Sequence, residues 1–236
     1  MLHSRTPEEY PENLGLPRPE MIRANFDKLS ILYQSERSFR KLGFVQLLTF
    51  WGVGWKPLTL ESDRLGAAHL ALIAATLQSV LRRGTRITLL LGDNHARANE
   101  VPDDIIESYC ECVEKLAAEF RFSLLKLSSV KSFDWGRLKH GYLTREEAAL
   151  YASERVHYEK SARRLHPDNV EFRARRYFAV RYRERLPIAT RFADAILASS
   201  DIFKRAALMP PLPNVHINMF PYARLRKSKP WFLNNY

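Results

Sequence analysis

Residues 85–99 read TRITLLLGDNHARAN. The run opens with Thr85, Ile87 and Thr88 and closes with three leucines, a short apolar stretch that suits a strand buried on both faces. Gly92 ends it, and Asp93, Asn94, His95, Arg97 and Asn99 crowd the next seven positions. Upstream, residues 63–81 are mostly Ala and Leu and predict a deeply packed helix, with Asp63 as its N-cap and Arg82-Arg83-Gly84 as its close. Before that helix, residues 44–50 (FVQLLTF) form a second buried strand leading into the Gly-rich turn WGVGWKP at 51–57. Ile22, Phe26, Leu29, Leu32 and Phe39 predict an amphipathic helix over 21–42, ended by Gly43. Downstream come a helix over 102–120 and a short strand within 122–130 (FSLLKLSSV). Strands alternating with helices, with crossovers of adequate length, predict an α/β fold: a parallel sheet covered by helices on both faces.

The second half is less regular. Thr144, with Glu147 three residues on, predicts a capping box opening a helix over 144–164. The following basic stretch is helical by pattern through Arg191, with Pro187 at a kink or a new first turn. Four prolines in residues 209–223 leave only HINMF (216–220) as a short strand. The Pro-rich residues 1–20 read as an extended arm before a single domain over 21–236.

The 236 residues are 46% hydrophobic, enough for a substantial core. Two cysteines, Cys110 and Cys112, exclude a disulfide-stapled scaffold and argue against a thiolate zinc site. No run approaches a membrane span, and the N-terminus lacks the apolar segment of a signal peptide, so a cytoplasmic protein without a membrane partner is expected.

The net charge of +11 is unevenly placed. Residues 1–154 carry 20 basic and 20 acidic side chains, whereas 155–191 carry 11 basic against 4 acidic. Residues 224–229 add four more cations. Such a block is either a solvated helix face or a surface for a polyanion. Its tyrosines interleave with Arg155, Lys160, Arg163, Arg164, Arg173, Arg175 and Arg176, which makes these the candidate nucleic-acid contacts.

In open parallel sheets, functional groups gather beyond the carboxyl ends of the strands. Two segments occupy that position, WGVGWK and GDNHARAN. Gly52 and Gly54 permit a tight turn and close approach to a ligand, Trp55 flanks it, and Lys56 can meet a carboxylate or phosphate. Neither GxxxxGK[ST] nor GxGxxG is present. Asp93 can bind a hydroxyl or ammonium, and His95 and Asn99 share a face if the chain turns helical; a structural reading, with Asp93 and Asn99 capping the turn, stands beside this one. No third strong ligand joins Asp93 and His95, so no metal is expected. His216 and Asn218 share one strand face and line a pocket or satisfy a sheet edge. Glu184 is an isolated acid among Arg181, Tyr182, Arg183 and Arg185, placed to bind an ammonium group, act as a base or form a surface ion pair.

The segment Gly92–Asn99 resembles the ADxHAxxN stretch that ends a strand in tyrosyl- and tryptophanyl-tRNA synthetases of class I, sharing its Asp, His, Ala and Asn. That resemblance implies a Rossmann-like domain handling an amino acid, although Gly66-Ala67-Ala68-His69 does not make the family's HIGH motif. The chain also resembles cyclodipeptide synthases in length, in lacking ATP motifs and in joining Tyr182, Glu184 and Pro187, without their serine in Gly52-Val53-Gly54. The resemblance implies a transferase that uses aminoacyl-tRNA as activated substrate without a cofactor. Taken with the loop and strand placements above, the catalytic candidates are Lys56, Asp93, His95, Tyr182 and Glu184, and the substrate-binding ones are Gly52, Gly54, Trp55, Asn99, His216 and Asn218. A third similarity, to isonitrile synthases, rests on Leu89–Asp93 followed by Val101-Pro102-Asp103. It implies instead an enzyme acting on a free amino acid. A non-catalytic RNA-binding protein on the same fold is the remaining alternative.

Overall fold

The computed structural model describes residues 28–53, 58, 61–138, 140–165, 167–199 and 214–216. The 1–20 arm therefore lies outside the described residues, as do Gly54, Trp55, Lys56 and Asn218.

Helix α1 (Lys28–Leu42) ends at Gly43, whose φ of 76° lies in the left-handed region that glycine adopts without strain. Then follow β1 (Val45–Trp51), α2 (Glu61–Leu81), β2 (Thr85–Leu91), the short α3 (Asp93–Ala98), α4 (Asp103–Glu119) and β3 (Ser123–Lys126). Two single-turn helices, α5 (Leu127–Val130) and α6 (Trp135–Leu138), lead to the long α7 (Arg145–Leu165) and α8 (Val170–Arg191). The sheet is completed by β4 (Ile196–Ser199) and β5 (Asn214–His216).

Among the described residues all four strand pairings are parallel, in the order β3-β2-β1-β4-β5. The chain steps outward from β1 in one direction, then returns across the sheet to build the other side. The order thus reverses between β1 and β4, the switch point of a Rossmann-like sheet. Alternation along β1 and β2 sends side chains to two buried faces. Leu47, Trp51, Leu89 and Leu91 pack with Leu70 of α2 and Ile106 of α4, while Leu48 and Leu90 pack with Leu127 and with Ile188 of α8. Helices therefore cover both faces, and each such buried leucine contributes roughly 1.5–3 kcal/mol. The third apolar cluster joins α7 to α8 through Tyr151, Tyr158, Ala174 and Phe178.

Several boundaries differ from the sequence reading. Helix α2 begins at Glu61, so Asp63 lies inside its first turn rather than capping it. The third strand stops at Lys126, because the Ser128 N–H turns aside to donate to Asp93 Oδ1 and the chain coils into α5. Pro187 does not break α8, which runs on to Arg191 although the ring removes one helical hydrogen bond. The last described strand is Asn214–His216, which begins ahead of HINMF, and residues 217–220 lie outside the described residues. The expected capping box is present: the Glu147 N–H donates to Thr144 Oγ1 at 3.2 Å, and the Thr144 N–H to Glu147 Oε2 at 2.8 Å.

Candidate active site

The carboxyl ends of β1 and β2 lie side by side, with Trp51 paired to Leu91. The Gly92 N–H donates to the Trp51 carbonyl at 2.9 Å, so α3 starts directly against the end of β1. A methyl group added at Gly92 would meet that carbonyl and the His95 side chain at ordinary van der Waals distance, so space alone does not demand glycine there. Asp93 is only 2% exposed. Its Oδ1 accepts the Ser128 N–H at 3.0 Å and its Oδ2 the Arg97 Nη1–H at 3.1 Å. Burial works against the Arg97 guanidinium, but Asp103 and Asp93 more than offset it and hold its pKa above the ordinary arginine value. Both oxygens of Asp93 thus tie α3 to α5 and to its own last turn.

The next two residues meet α8. Glu184 is 1% exposed, and its Oε1 accepts a hydrogen bond of 2.8 Å from Asn94 Nδ2, which also donates to the Lys131 carbonyl at 2.9 Å. Glu184 Oε2 lies 2.6 Å from His95 Nε2. With Oε1 already accepting from an amide, an ionised Glu184 sets the imidazole as the Nε2–H tautomer and leaves the Nδ1 lone pair for chemistry. Among the described residues Nδ1 has no hydrogen-bond partner, and the ring stands between Phe50 (centroids 6.3 Å apart) and the edge of Tyr177 (5.3 Å).

Tyr177, Arg181, Glu184 and Ile188 succeed one another on α8 at spacings of four, three and four, one helical stripe facing the sheet ends. Ile188 joins the sheet core, Glu184 and Tyr177 reach His95, and Arg181 lies over the rings of Tyr158 and Tyr177, 5.9 Å from each centroid. At the other end of α8, Arg176 Nε donates to the Ala98 carbonyl at 2.7 Å and Nη2 donates to the same oxygen, clamping α8 onto the carboxyl end of α3. Behind the site, Trp51 Nε1–H donates to Tyr109 Oη at 3.0 Å, and the Tyr109 hydroxyl donates to Asp63 Oδ1 at 2.9 Å. Burial, followed by the Asp63 charge, pushes the Tyr109 phenol far up, so it remains a donor. This relay fixes the last residue of β1 against α2 and α4.

The fold therefore gathers Asp93, His95 and Glu184 at one place. Tyr182 faces elsewhere, its hydroxyl donating to Glu146 Oε1 at 2.6 Å on α7. Two residues beyond or before a helical position point nearly opposite ways, which separates Tyr182 from Glu184. Asn99 closes α3, its backbone N–H donating to Ala96 and His95 carbonyls. Gly52 is exposed at the end of β1, and His216 is placed only by its strand. Of the basic candidates, Arg176 is 6% exposed and committed to Ala98 and Glu100, so it is no surface contact. Arg173 pairs with Glu100, Arg175 with Glu171, and Arg155 with Glu159. Lys160 and Arg163 are exposed, and the Arg164 side chain lies outside the description. Asn94, Tyr177 and Arg181 also stand at the site, where no motif in the sequence points to them. The signal that could have found the last two is a charged pair, Arg181 and Glu184, at the inward positions of an otherwise apolar stripe.

Among the described residues, no three His, Cys, Asp or Glu side chains are grouped to hold a metal, and no helix is long and apolar enough to cross a membrane. No protein-family model matches the chain, and no curated protein matches it in sequence. Among solved structures it is similar to the PvcA protein from Pseudomonas aeruginosa, with a TM-score of 0.57 and 16% identity over 85% of this chain and 81% of that one. At that identity the likeness speaks for the fold, and the fold is Rossmann-like.

Proposed function

We propose that this protein is an enzyme acting on a free amino acid, with His95 transferring the proton and Glu184 positioning it. The observation that carries the reading is the buried Glu184, which holds Asn94 with one oxygen and His95 with the other at the carboxyl end of β2. A carboxylate behind Nε2–H makes Nδ1 the base, and it stabilises the imidazolium formed when Nδ1 takes a proton from the substrate amine. Asn94 keeps the carboxylate from rotating. Phe50 and Tyr177 wall the imidazole and keep bulk water from one side. The resemblance to isonitrile synthases at Leu89–Asp93, beside the fold likeness to PvcA, favours an enzyme of free amino acids over one of aminoacyl-tRNA.

The aminoacyl-tRNA reading draws on the DxHAxxN-like loop, the lack of ATP motifs and the charge of residues 155–191. Much of that charge is spent inside the fold, in Arg173–Glu100, Arg176–Ala98 and Arg183–Glu147 contacts. The test is calorimetric titration with the free amino acids and, separately, with charged and uncharged tRNA. Binding of a free amino acid that is lost in His95→Phe is expected. Indifference to every free amino acid, with preference for charged over uncharged tRNA, overturns the proposal.

A further inference from the structure

We propose that the acidic outer face of α4 is the docking site of this chain's own basic tail, Arg224-Leu225-Arg226-Lys227-Ser228-Lys229. The tail lies outside the described residues, and the surface that fits it is defined by charge and by topology.

Helix α4 holds six acids against one lysine. Three of the acids are paired: Asp103 with Arg97, Glu114 with Lys126 and Glu119 with Arg64. Asp104, Glu107 and Glu111 are exposed and make no ion pair among the described residues, Lys115 included. Their spacings of three and four put them on one face, along roughly 10 Å of helix. The helix dipole favours an acid in the first turn, as at Asp104, but its effect fades before Glu107 and Glu111. The cations of residues 155–191 do not neutralise this face. Helix α4 packs with Leu89 and Leu91 on one side of the sheet, whereas α8 packs against Leu48 and Leu90 on the other. RLRKSK is the remaining concentrated block, four cations in six residues.

The topology puts the tail within reach. Strand β5 is parallel to β4, with His216 beside Ser199, so the chain leaves the sheet toward its carboxyl end. Helix α4 begins at that same end, because it follows β2 and returns the chain to the start of β3. From β5 to β2 is three strand spacings, about 14 Å. Eight residue steps separate His216 from Arg224, and a chain of that length spans up to about 26 Å. A single exposed ion pair contributes little. A short tether changes the outcome, since it holds the attached group at an effective concentration on the order of millimolar. Several weak pairs then suffice, and the chain's own tail is favoured over that of a second copy.

The full chain, cleared of nucleic acid, is treated with a zero-length carbodiimide, which joins a lysine amine to a carboxylate in contact with it. At low salt Lys227 and Lys229 are expected to be joined to Asp104, Glu107 or Glu111. Near 1 M salt, where the Debye length is about 3 Å, the yield should fall about 5-fold. A mixture of isotopically heavy and light protein should give no cross-linked peptides of mixed mass. Trypsin reads the same contact: at low salt, cleavage within 224–228 should quicken about 5-fold in Glu107→Gln/Glu111→Gln, with the melting temperature unchanged because both carboxylates are exposed. If the double variant does not fold, the cross-links at the two salt concentrations decide. Cross-links of mixed mass assign the face to a second copy and overturn the proposal. So do the absence of cross-links to these three acids at low salt, and tryptic cleavage that a folded double variant leaves unchanged.

Discussion

Glu184 Oε2 stands 2.6 Å from His95 Nε2, across 89 residues of sequence. Two helices that never touch in sequence are brought together by the return of the chain beneath the sheet. Replacing Glu184 with glutamine keeps the shape but removes the anion. The imidazole then loses its reason to hold the proton on Nε2, and Nδ1 is no longer dependably a base. Turnover should fall on the order of 100-fold, as for other positioned acid–base groups. Nitrogen NMR of the His95 ring reads the same event directly: its Nδ1 and Nε2 signals should move toward each other or exchange places. A ring spectrum identical to wild type would show that Glu184 does not set the tautomer.

Asp93 should behave differently, because both of its oxygens are used inside the fold. Asp93→Asn retains an acceptor for Ser128 but weakens the link to Arg97. A loss of about 1–3 kcal/mol in stability is expected, the cost of disturbing a buried charged hydrogen bond. Affinity for the amino acid should change less than the stability does. Chemical denaturation beside calorimetry checks this, and a stable variant with abolished binding would return Asp93 to the ligand.

The α7–α8 pair carries a pH-dependent contact away from the site. Burial opposes ionisation of Glu147, but the Arg183 guanidinium and the Thr144 N–H outweigh it and lower its pKa from the ordinary 4.5. A lowered folded pKa means that this stabilisation is fully present above pH 4.5 and is lost as pH falls through the folded value. Glu147→Gln should therefore cost about 1–2 kcal/mol at neutral pH and little in strong acid. Melting temperatures from pH 7 to pH 3 test the sign: a gap between wild type and variant that stays constant over that range would refute it.

The order of elements was legible because parallel strands advertise themselves as short apolar runs. FVQLLTF and TRITLLLG each fall within a residue of an observed strand. The site was half legible. Asp93 and His95 follow a buried strand, and the carboxyl end of such a strand is where ligands bind. Glu184 stood out as one acid among arginines, but its partner could not be read, since the contact spans nearly ninety residues and depends on how α8 crosses beneath β2. Arginine count was misleading for the same reason. Charge is visible in sequence, while the ion pairs that consume it, such as Arg183 with Glu147, form between helices whose register is set by packing. Asn94 gave no signal, because an amide next to a histidine is ordinary until a buried carboxylate faces both.

What remains of the basic surface gives the last prediction. Lys160 and Arg163 are exposed on α7, three residues apart and so on neighbouring positions of one face. Exposed charges add little to stability, so reversing both to glutamate should change it by less than about 1 kcal/mol. A protein with these cations on its surface should hold tRNA at low ionic strength through counterion release, and the double reversal should weaken that retention. Near physiological salt the Debye length is about 8 Å, and two or three phosphate contacts no longer hold a polyanion. Charged and uncharged tRNA should be retained alike, because nothing in this contact senses the ester. Retention measured at two salt concentrations for both tRNA forms decides the matter. Salt-resistant binding that prefers charged tRNA and disappears on reversal of Lys160 and Arg163 would make the aminoacyl-tRNA enzyme the better reading of this chain.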